Sequence, residues 1–309
     1  MNGSSYRGMS VHELTNPSYA AHYLGESLLH GELSLLLGAG VSRGSGLPSW
    51  QTLVEGCEDE LGLSRPAGAR SSEKLMSAMD KVRSEFLSPD RSEVDFRELV
   101  RRNLYPDEYL DGESYPDNLL QNMMLIAVGA LIMPSSRGSV REVLTLNFDD
   151  LLEWYLGIHG FTTQPITELP QVVSSDADVT IFHPHGYIPL TKSGIPTDWM
   201  ILTRKQFIKR IAGTDGRAWA RFLTNLFATK RLLAVGTSMS DIDLDVHLEA
   251  AGEGKFDDEP MGFVVNSTFD EEEAEQLKLR NLVPVAVGSR EAIPHFLLQV
   301  CRNASAGSR

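Results

Sequence analysis

Cysteine is almost missing: the 309 residues hold only Cys57 and Cys301, in no CxxC or Cys/His spacing. That excludes a disulfide framework and a thiolate zinc site, and it suits a reducing cytoplasm. Positive charge is short as well, with 28 basic against 42 acidic residues and a formal charge of -14 at pH 7. A surface built mainly to neutralise nucleic-acid phosphates is therefore not expected. Long apolar runs are lacking too. The longest, Met123 to Met133, falls short of the roughly 20 residues that cross a bilayer, and the polar N-terminus lacks a secretory pattern. Internal repeats and long low-complexity segments are also absent. These absences point to a soluble, cytoplasmic globular chain, long enough to bury a sizeable core.

What the sequence does contain is a rhythm of short apolar segments ending in glycine or polar residues, each followed by helical spacing. That is the pattern of a parallel sheet with crossover helices. Strands are predicted at Leu33–Leu37, Glu142–Leu146, Val179–Phe182, Arg231–Val235, Gly262–Val265 and Leu282–Val287. Helices are predicted at Ser49–Leu61, Asp149–Ile158, Asp241–Ala251, Phe269–Arg280 and Glu291–Val300. The acidic "DEEE" from Asp270 suits a helix N-terminus and is given no catalytic role. The expected fold is thus a single α/β domain with a Rossmann-like, doubly wound, parallel six-stranded sheet. The interval 62–139 is too long for a normal crossover and reads as an inserted helical layer over one edge of the ligand crevice. Residues 189–215 read as an irregular small-subdomain segment, and the first ten residues and 303–309 as flexible tails.

Five strand ends carry candidate chemistry. In "LSLLLGAGVSRGSGLPSW" a glycine-rich loop follows a strand, the context in which backbone N–H groups meet a pyrophosphate. Gly38 and Gly40 fit the dinucleotide fingerprint, whereas Arg43 stands where the third glycine belongs. The same turn equally serves as a plain strand-to-helix connection. In "LTLNFDDLLEWY" Thr145, Asn147 and Asp149 fall at a strand's carboxyl end, where ligands sit in open sheets; capping of the next helix is the competing role for Asn147 or Asp149. In "VTIFHPHGYIP" His183 and His185 are both candidates for a general base or hydroxyl-orienting group, and spacing does not choose between them. "LLAVGTSMSDIDLDV" places Gly236, Thr237 and Ser238 where a phosphate can approach closely. Asp241 and Asp245 share a helical face that Asp243 does not, so capping and solvent exposure are expected there and no metal site is assigned. "GFVVNS" ends a strand with Asn266 and Ser267, which suit a ribose or a simple turn.

Taken in order, "GAGVSRGSGLPSW", "TLNFDDLLE", "HPHG", "VGTSMSD" and "VVNS" resemble the silent information regulator family, the sirtuins and their NAD-hydrolysing relatives. The resemblance runs from about Leu33 to Gly288, and the two intervening helical or irregular regions do not match. It implies that Gly38, Ala39, Gly40 and Ser42 hold the pyrophosphate of NAD, and that Asn147 and Asp149 act at the nicotinamide and ribose. It also implies that His185 rather than His183 is the catalytic histidine. Gly236, Thr237 and Ser238 would contact phosphate and ribose, Asn266 the adenosine half, and Arg43 a phosphate or the gate of the site. Two departures stand out. No cysteine lies between Cys57 and Cys301, so the zinc module of the protein-deacylating sirtuins is not expected, and Ser49-Trp50-Gln51 replaces the Asp-Phe-Arg that follows their loop proline. Both put an acyl-lysine site in doubt.

With these departures the motifs look like the sirtuin-like effectors of prokaryotic antiphage systems, which hydrolyse NAD to nicotinamide and ADP-ribose. The expected function is therefore an NAD+ glycohydrolase with NAD as substrate and no metal, acting in abortive infection. The competing readings are a zinc-free NAD-dependent deacylase and a non-catalytic NAD or ADP-ribose sensor, and the residues do not separate hydrolysis from cyclisation. A freely active hydrolase would kill its own cell, and the chain shows no sensor domain. Control is thus expected from homo-oligomerisation or a partner, by family analogy a HerA-type ATPase or an Argonaute-like protein, without direct nucleic-acid or membrane binding.

Overall fold

A computed structural model describes residues 8–111, 117–133, 135–171, 173–174, 176–190, 200–203, 205–206, 214–237, 239 and 259–307. At the centre lies β1 (Leu33–Leu37), flanked by β2 (Glu142–Thr145) and β5 (Arg231–Val235). Beyond β2 come β4 (Val179–Phe182) and then β3 (Thr163–Ile166) at the edge; beyond β5 come β6 (Gly262–Asn266) and β7 (Leu282–Ala286). Every pairing is parallel. The chain winds outward on one side of β1 and later on the other, which makes the carboxyl end of β1 the topological switch point where a ligand crevice opens.

The strands read as near-continuous apolar runs because both sheet faces are covered. Alternation then sorts each run into two cores: Leu33, Leu35 and Leu37 of β1 join Leu233 and Val235 of β5 in one, whereas Leu36, Leu232 and Ala234 join the other. Helices α1 (Pro17–Leu29), α2 (Trp50–Glu60), α3 (Ser72–Phe86), α4 (Glu93–Leu104), α5 (Asp107–Asp111), α6 (Met123–Ile132) and α7 (Leu151–Ile158) precede or follow the first strands. Among them α1, α2, α3, α4, α6 and α7 bury apolar faces in the first core. Helix α8 (Thr214–Thr229) covers the second core through Trp219, Leu223, Leu226 and Phe227, spaced as one helical face. Leu277 of α9 (Glu271–Leu279) joins them, and α10 (Ala292–Gly307) packs along α1. No described helix is long and apolar enough to cross a membrane.

The sheet has seven strands, not the six expected from sequence. The extra one, β3, carries Pro165 and buries only Ile166, so it lacks the apolar run that marks the others. An edge position tolerates both, because half of its backbone has no neighbour to pair with. Helices α1 and α8 were likewise not anticipated, although Pro17 at the first helical position and the Asn16 side chain, accepting from Ser18 N, form a standard helix start. The tail expected to be flexible from residue 303 is helical through Gly307, with Ala304 buried against the core. The predicted helix Asp241–Ala251, with its three aspartates, lies outside the described residues. Cys57 and Cys301 are free and buried. Burial pushes the Cys57 thiol up to about 12, which makes it an inert core group.

Candidate active site

Three strand ends meet at the switch point. Gly38 N donates to Val235 O at 3.0 Å and Gly40 N to Gly236 O at 2.9 Å, so the loops after β1 and β5 touch backbone to backbone. A Cβ on Gly38 would sit 2.5 Å from Gly236 O, and one on Gly40 2.7 Å from Gly236 Cα. Gly236 itself has φ +71°. These glycines are therefore required by the contact between the two loops. The N–H groups of Gly38 and Gly40 are committed to it, and both residues present a close-approach surface to the crevice instead.

The loop after β2 completes the junction. Asn147 Nδ2 donates to Gly38 O at 3.1 Å and to Ser42 Oγ at 3.2 Å. Ser42 Oγ donates in turn to the Asp149 carboxylate, with oxygens at 2.9 and 3.0 Å. Asp149 Oδ1 also accepts from Leu151 N at 3.3 Å, so it serves the first turn of α7 as well as the site. Asp150 is structural: it accepts from the Tyr105 hydroxyl at 2.9 Å, from Trp154 Nε1 at 3.2 Å and from Leu190 N, tying the end of α4 to α7 and to the chain after β4.

Burial pushes the Asp149 carboxyl up to about 7, aided by the nearby carboxylates of Asp150 and Glu153 and opposed by the hydrogen bonds from Ser42 and Leu151. Because the folded value exceeds the unfolded one of about 4, the native state holds the extra proton between them. The stability linked to this group is full below about pH 4 and is lost as pH rises through about 7. Asp149→Asn keeps an acceptor for Ser42 and Leu151 without the buried charge. It is expected to raise stability at pH 8, on the order of a few kcal/mol, and to flatten the pH dependence of Tm between pH 4 and 7. An unchanged pH profile would remove this role for the carboxyl.

The two histidines take different places. His185 is half-buried on the wall of the crevice, and its carbonyl accepts from Ile201 N at 2.7 Å. His183 is fully buried and bonded to Glu153, away from the crevice lining. The crevice encloses about 1150 Å³, large for a small-molecule site. Gly38, Ala39, Gly40, Ser42, Asn147, Asp149, His185, Gly236, Thr237 and Asn266 all line it, with Arg43 exposed at its rim. Ser238 lies outside the described residues. Trp50 and Phe148 form an apolar wall with ring centroids 6.1 Å apart, and Ser49 caps α2 by accepting from Thr52 N. Among the described residues no group of three His, Cys, Asp or Glu side chains is arranged to hold a metal.

The helices between α2 and β2 buttress the glycine-rich loop, a contribution that reading the sequence missed. Asn122 Nδ2 donates to Ser45 Oγ at 2.8 Å and Val41 O at 3.3 Å, while its Oδ1 accepts from Met124 N and Leu125 N to cap α6. The Tyr109 hydroxyl donates to Ser45 O at 2.7 Å. Gly44 leaves the room for this clamp, since a Cβ there would lie 2.7 Å from Asn122 Oδ1. An asparagine directly before "MMLIAVGALIM" is a cap signal that the sequence did offer. Asn122→Ala is expected to cost about 1–3 kcal/mol in urea unfolding, from the lost cap and the buried partners left unpaired. A loss within 0.5 kcal/mol, as at an ordinary surface site, would contradict the clamp.

Comparison with known proteins finds a similarity over part of the chain. Residues 141–285 match the model of the SIR2-like domain, a segment that holds Asn147, Asp149, His185, Gly236, Thr237 and Asn266. No curated protein matches the chain. A solved structure described as "Structural Basis for the Mechanism and Regulation of Sir2 Enzymes" is similar at 12% sequence identity and a TM-score of 0.46, over 93% of this chain and 97% of that one.

Proposed function

We propose that this chain, whose SIR2-like domain points to NAD-using chemistry, is an NAD+ glycohydrolase that releases nicotinamide and ADP-ribose. The observation that carries the reading is the convergence of Ser42, Asn147, Asp149 and His185 with the Gly38–Gly40 and Gly236–Thr237 loops on one crevice. Nicotinamide in NAD is already a cationic leaving group, so cleavage needs a placed nucleophile and tolerance of an oxocarbenium-like sugar more than strong acid catalysis. Asn147 is a neutral amide that can position a water or ribose hydroxyl without attacking the sugar. His185 accepts the proton as the water oxygen bonds to the anomeric carbon and the bond to nicotinamide breaks. Asp149 contributes through Ser42, by fixing the hydroxyl that Asn147 also contacts.

Trp50 supports peptide independence, because Ser49-Trp50-Gln51 stands where the resemblance puts Asp-Phe-Arg in the protein-deacylating sirtuins, and its ring lines the crevice beside Phe148. The test is NAD turnover with and without an acylated lysine peptide. Equal nicotinamide release in both supports the hydrolase; release only with peptide replaces it with a deacylase, and tight NAD binding with no turnover replaces it with a sensor. A hydrolase of this kind depletes NAD in its own cell, so we also propose regulated use in antiphage defence. Control would come through self-assembly or through a HerA-type ATPase or Argonaute-like partner.

A further inference from the structure

Below Asn147 lies a buried pair that the proposed chemistry does not use. His183, at 0% exposure, follows β4 directly, and Glu153, at 9%, sits in the first turn of α7. His183 Nε2 lies 2.7 Å from Glu153 Oε1, and His183 Nδ1 lies 3.3 Å from the backbone oxygen of Asn147. The Tyr187 ring packs edge-on against the imidazole at 4.6 Å, closing it from solvent. The His183 backbone N–H donates to Ile166 O at 2.8 Å, which fixes the residue to the edge strand.

Both ring nitrogens of this imidazole face an oxygen. A peptide carbonyl only accepts, so a bond from the ring to Asn147 O requires a hydrogen on Nδ1. In a neutral ring Nε2 would then be a lone pair facing a carboxylate oxygen at 2.7 Å, two acceptors in contact inside the protein. Bonding at both nitrogens therefore requires a second ring proton, at Nε2. With both contacts bonded, the ring is an imidazolium held against the Glu153 carboxylate.

We propose that His183 and Glu153 form a proton-sharing strut, with His183 a positioning residue that holds the Asn147 backbone so that its amide reaches Gly38 and Ser42. The strut explains why two histidines stand two residues apart: His185 faces the crevice and His183 braces the residue opposite it. The part of this inference that concerns activity rests on the hydrolase reading; the proton assignment does not.

Two readouts separate these parts. Nitrogen-15 NMR of imidazole-labelled full-length protein should show both His183 nitrogens protonated, and in Glu153→Gln, whose amide can donate to Nε2, only Nδ1 protonated. A wild-type ring protonated at Nε2 alone overturns the strut, whether or not the protein turns over NAD. In NAD turnover, His183→Phe keeps ring volume and loses both bonds. It should lower kcat at least about tenfold with KM within about threefold, as a misplaced but intact site does, while Glu153→Gln stays within about threefold of wild type. A His183→Phe enzyme with wild-type kcat, or a Glu153→Gln enzyme that falls equally far, also overturns it. If His183→Phe does not fold, the Glu153→Gln pair of measurements decides. Absence of wild-type turnover refutes the hydrolase reading and leaves the NMR result to judge the strut.

Discussion

Alanine at His185 or at Asn147 is expected to reduce nicotinamide release at least about 10²-fold, the scale on which a positioned acid–base group contributes. The two variants should differ in their effect on the fold. His185 is half-buried at the crevice wall, so its truncation removes little packing. Asn147 supplies the bonds to Gly38 O and Ser42 Oγ, so its truncation should also cost about 1–2 kcal/mol of stability. Thermal melts beside the NAD assay separate lost chemistry from lost structure. Full activity in either variant would remove the assigned mechanism.

The largest effect on stability is expected at the junction of the two loops. Gly236→Ala should destabilise the protein by about 3–5 kcal/mol, which combines a left-handed backbone with insertion into a close contact. The new Cβ would lie 2.8 Å from Val41 N and 3.1 Å from both Gly38 O and Gly40 C, all backbone atoms that cannot swing aside. Gly62 is the matched control: it has φ +64° and nothing within 4 Å of its missing Cβ. Gly62→Ala should therefore cost only the backbone term, about 1–2 kcal/mol. Urea unfolding of the two variants measures the difference directly. Equal losses would mean that Gly236 is required for its backbone conformation alone and that the loops do not need their contact.

Much of this arrangement was legible in the sequence because parallel strands buried on both faces leave an unmistakable pattern. The runs at Leu33, Val179 and Arg231 begin and end as read, and the strands at Glu142, Gly262 and Leu282 shift by one residue at one end. Strand β3 was hidden by its edge position, where Pro165 is harmless and only Ile166 needs burial. Helix α8 is hard to read because the sequence before it is polar, although Trp219, Leu223, Leu226 and Phe227 have helical spacing. The last helix outlasted its prediction because "NASAG" has the small residues of a tail, yet Ala304 finds a place in the core.

The crevice residues were legible for a similar reason. A parallel sheet puts the carboxyl ends of its strands side by side, so the polar residues that end each run gather by topology alone. What could not be read were the partners behind them. Nothing in "FHPHG" indicates that His183 turns to Glu153, thirty positions earlier, or in "LLQNMM" that Asn122 reaches back to Ser45. Those bonds depend on how helices pack onto the sheet, which spacing along the chain does not encode. The glycines of the first loop show the reverse: the sequence left a phosphate turn and a plain strand-to-helix turn open, and the structure shows Gly38 and Gly40 demanded by their contact with Gly236.

The central claim is that this crevice consumes NAD. The most direct measurement is chromatographic separation of products after incubating the purified full-length chain with NAD alone, beside the His185→Ala variant. The account predicts nicotinamide and ADP-ribose in equal amounts from the wild-type protein and neither from the variant. NAD left equally intact by both, or consumed only when an acylated peptide is added, would contradict it.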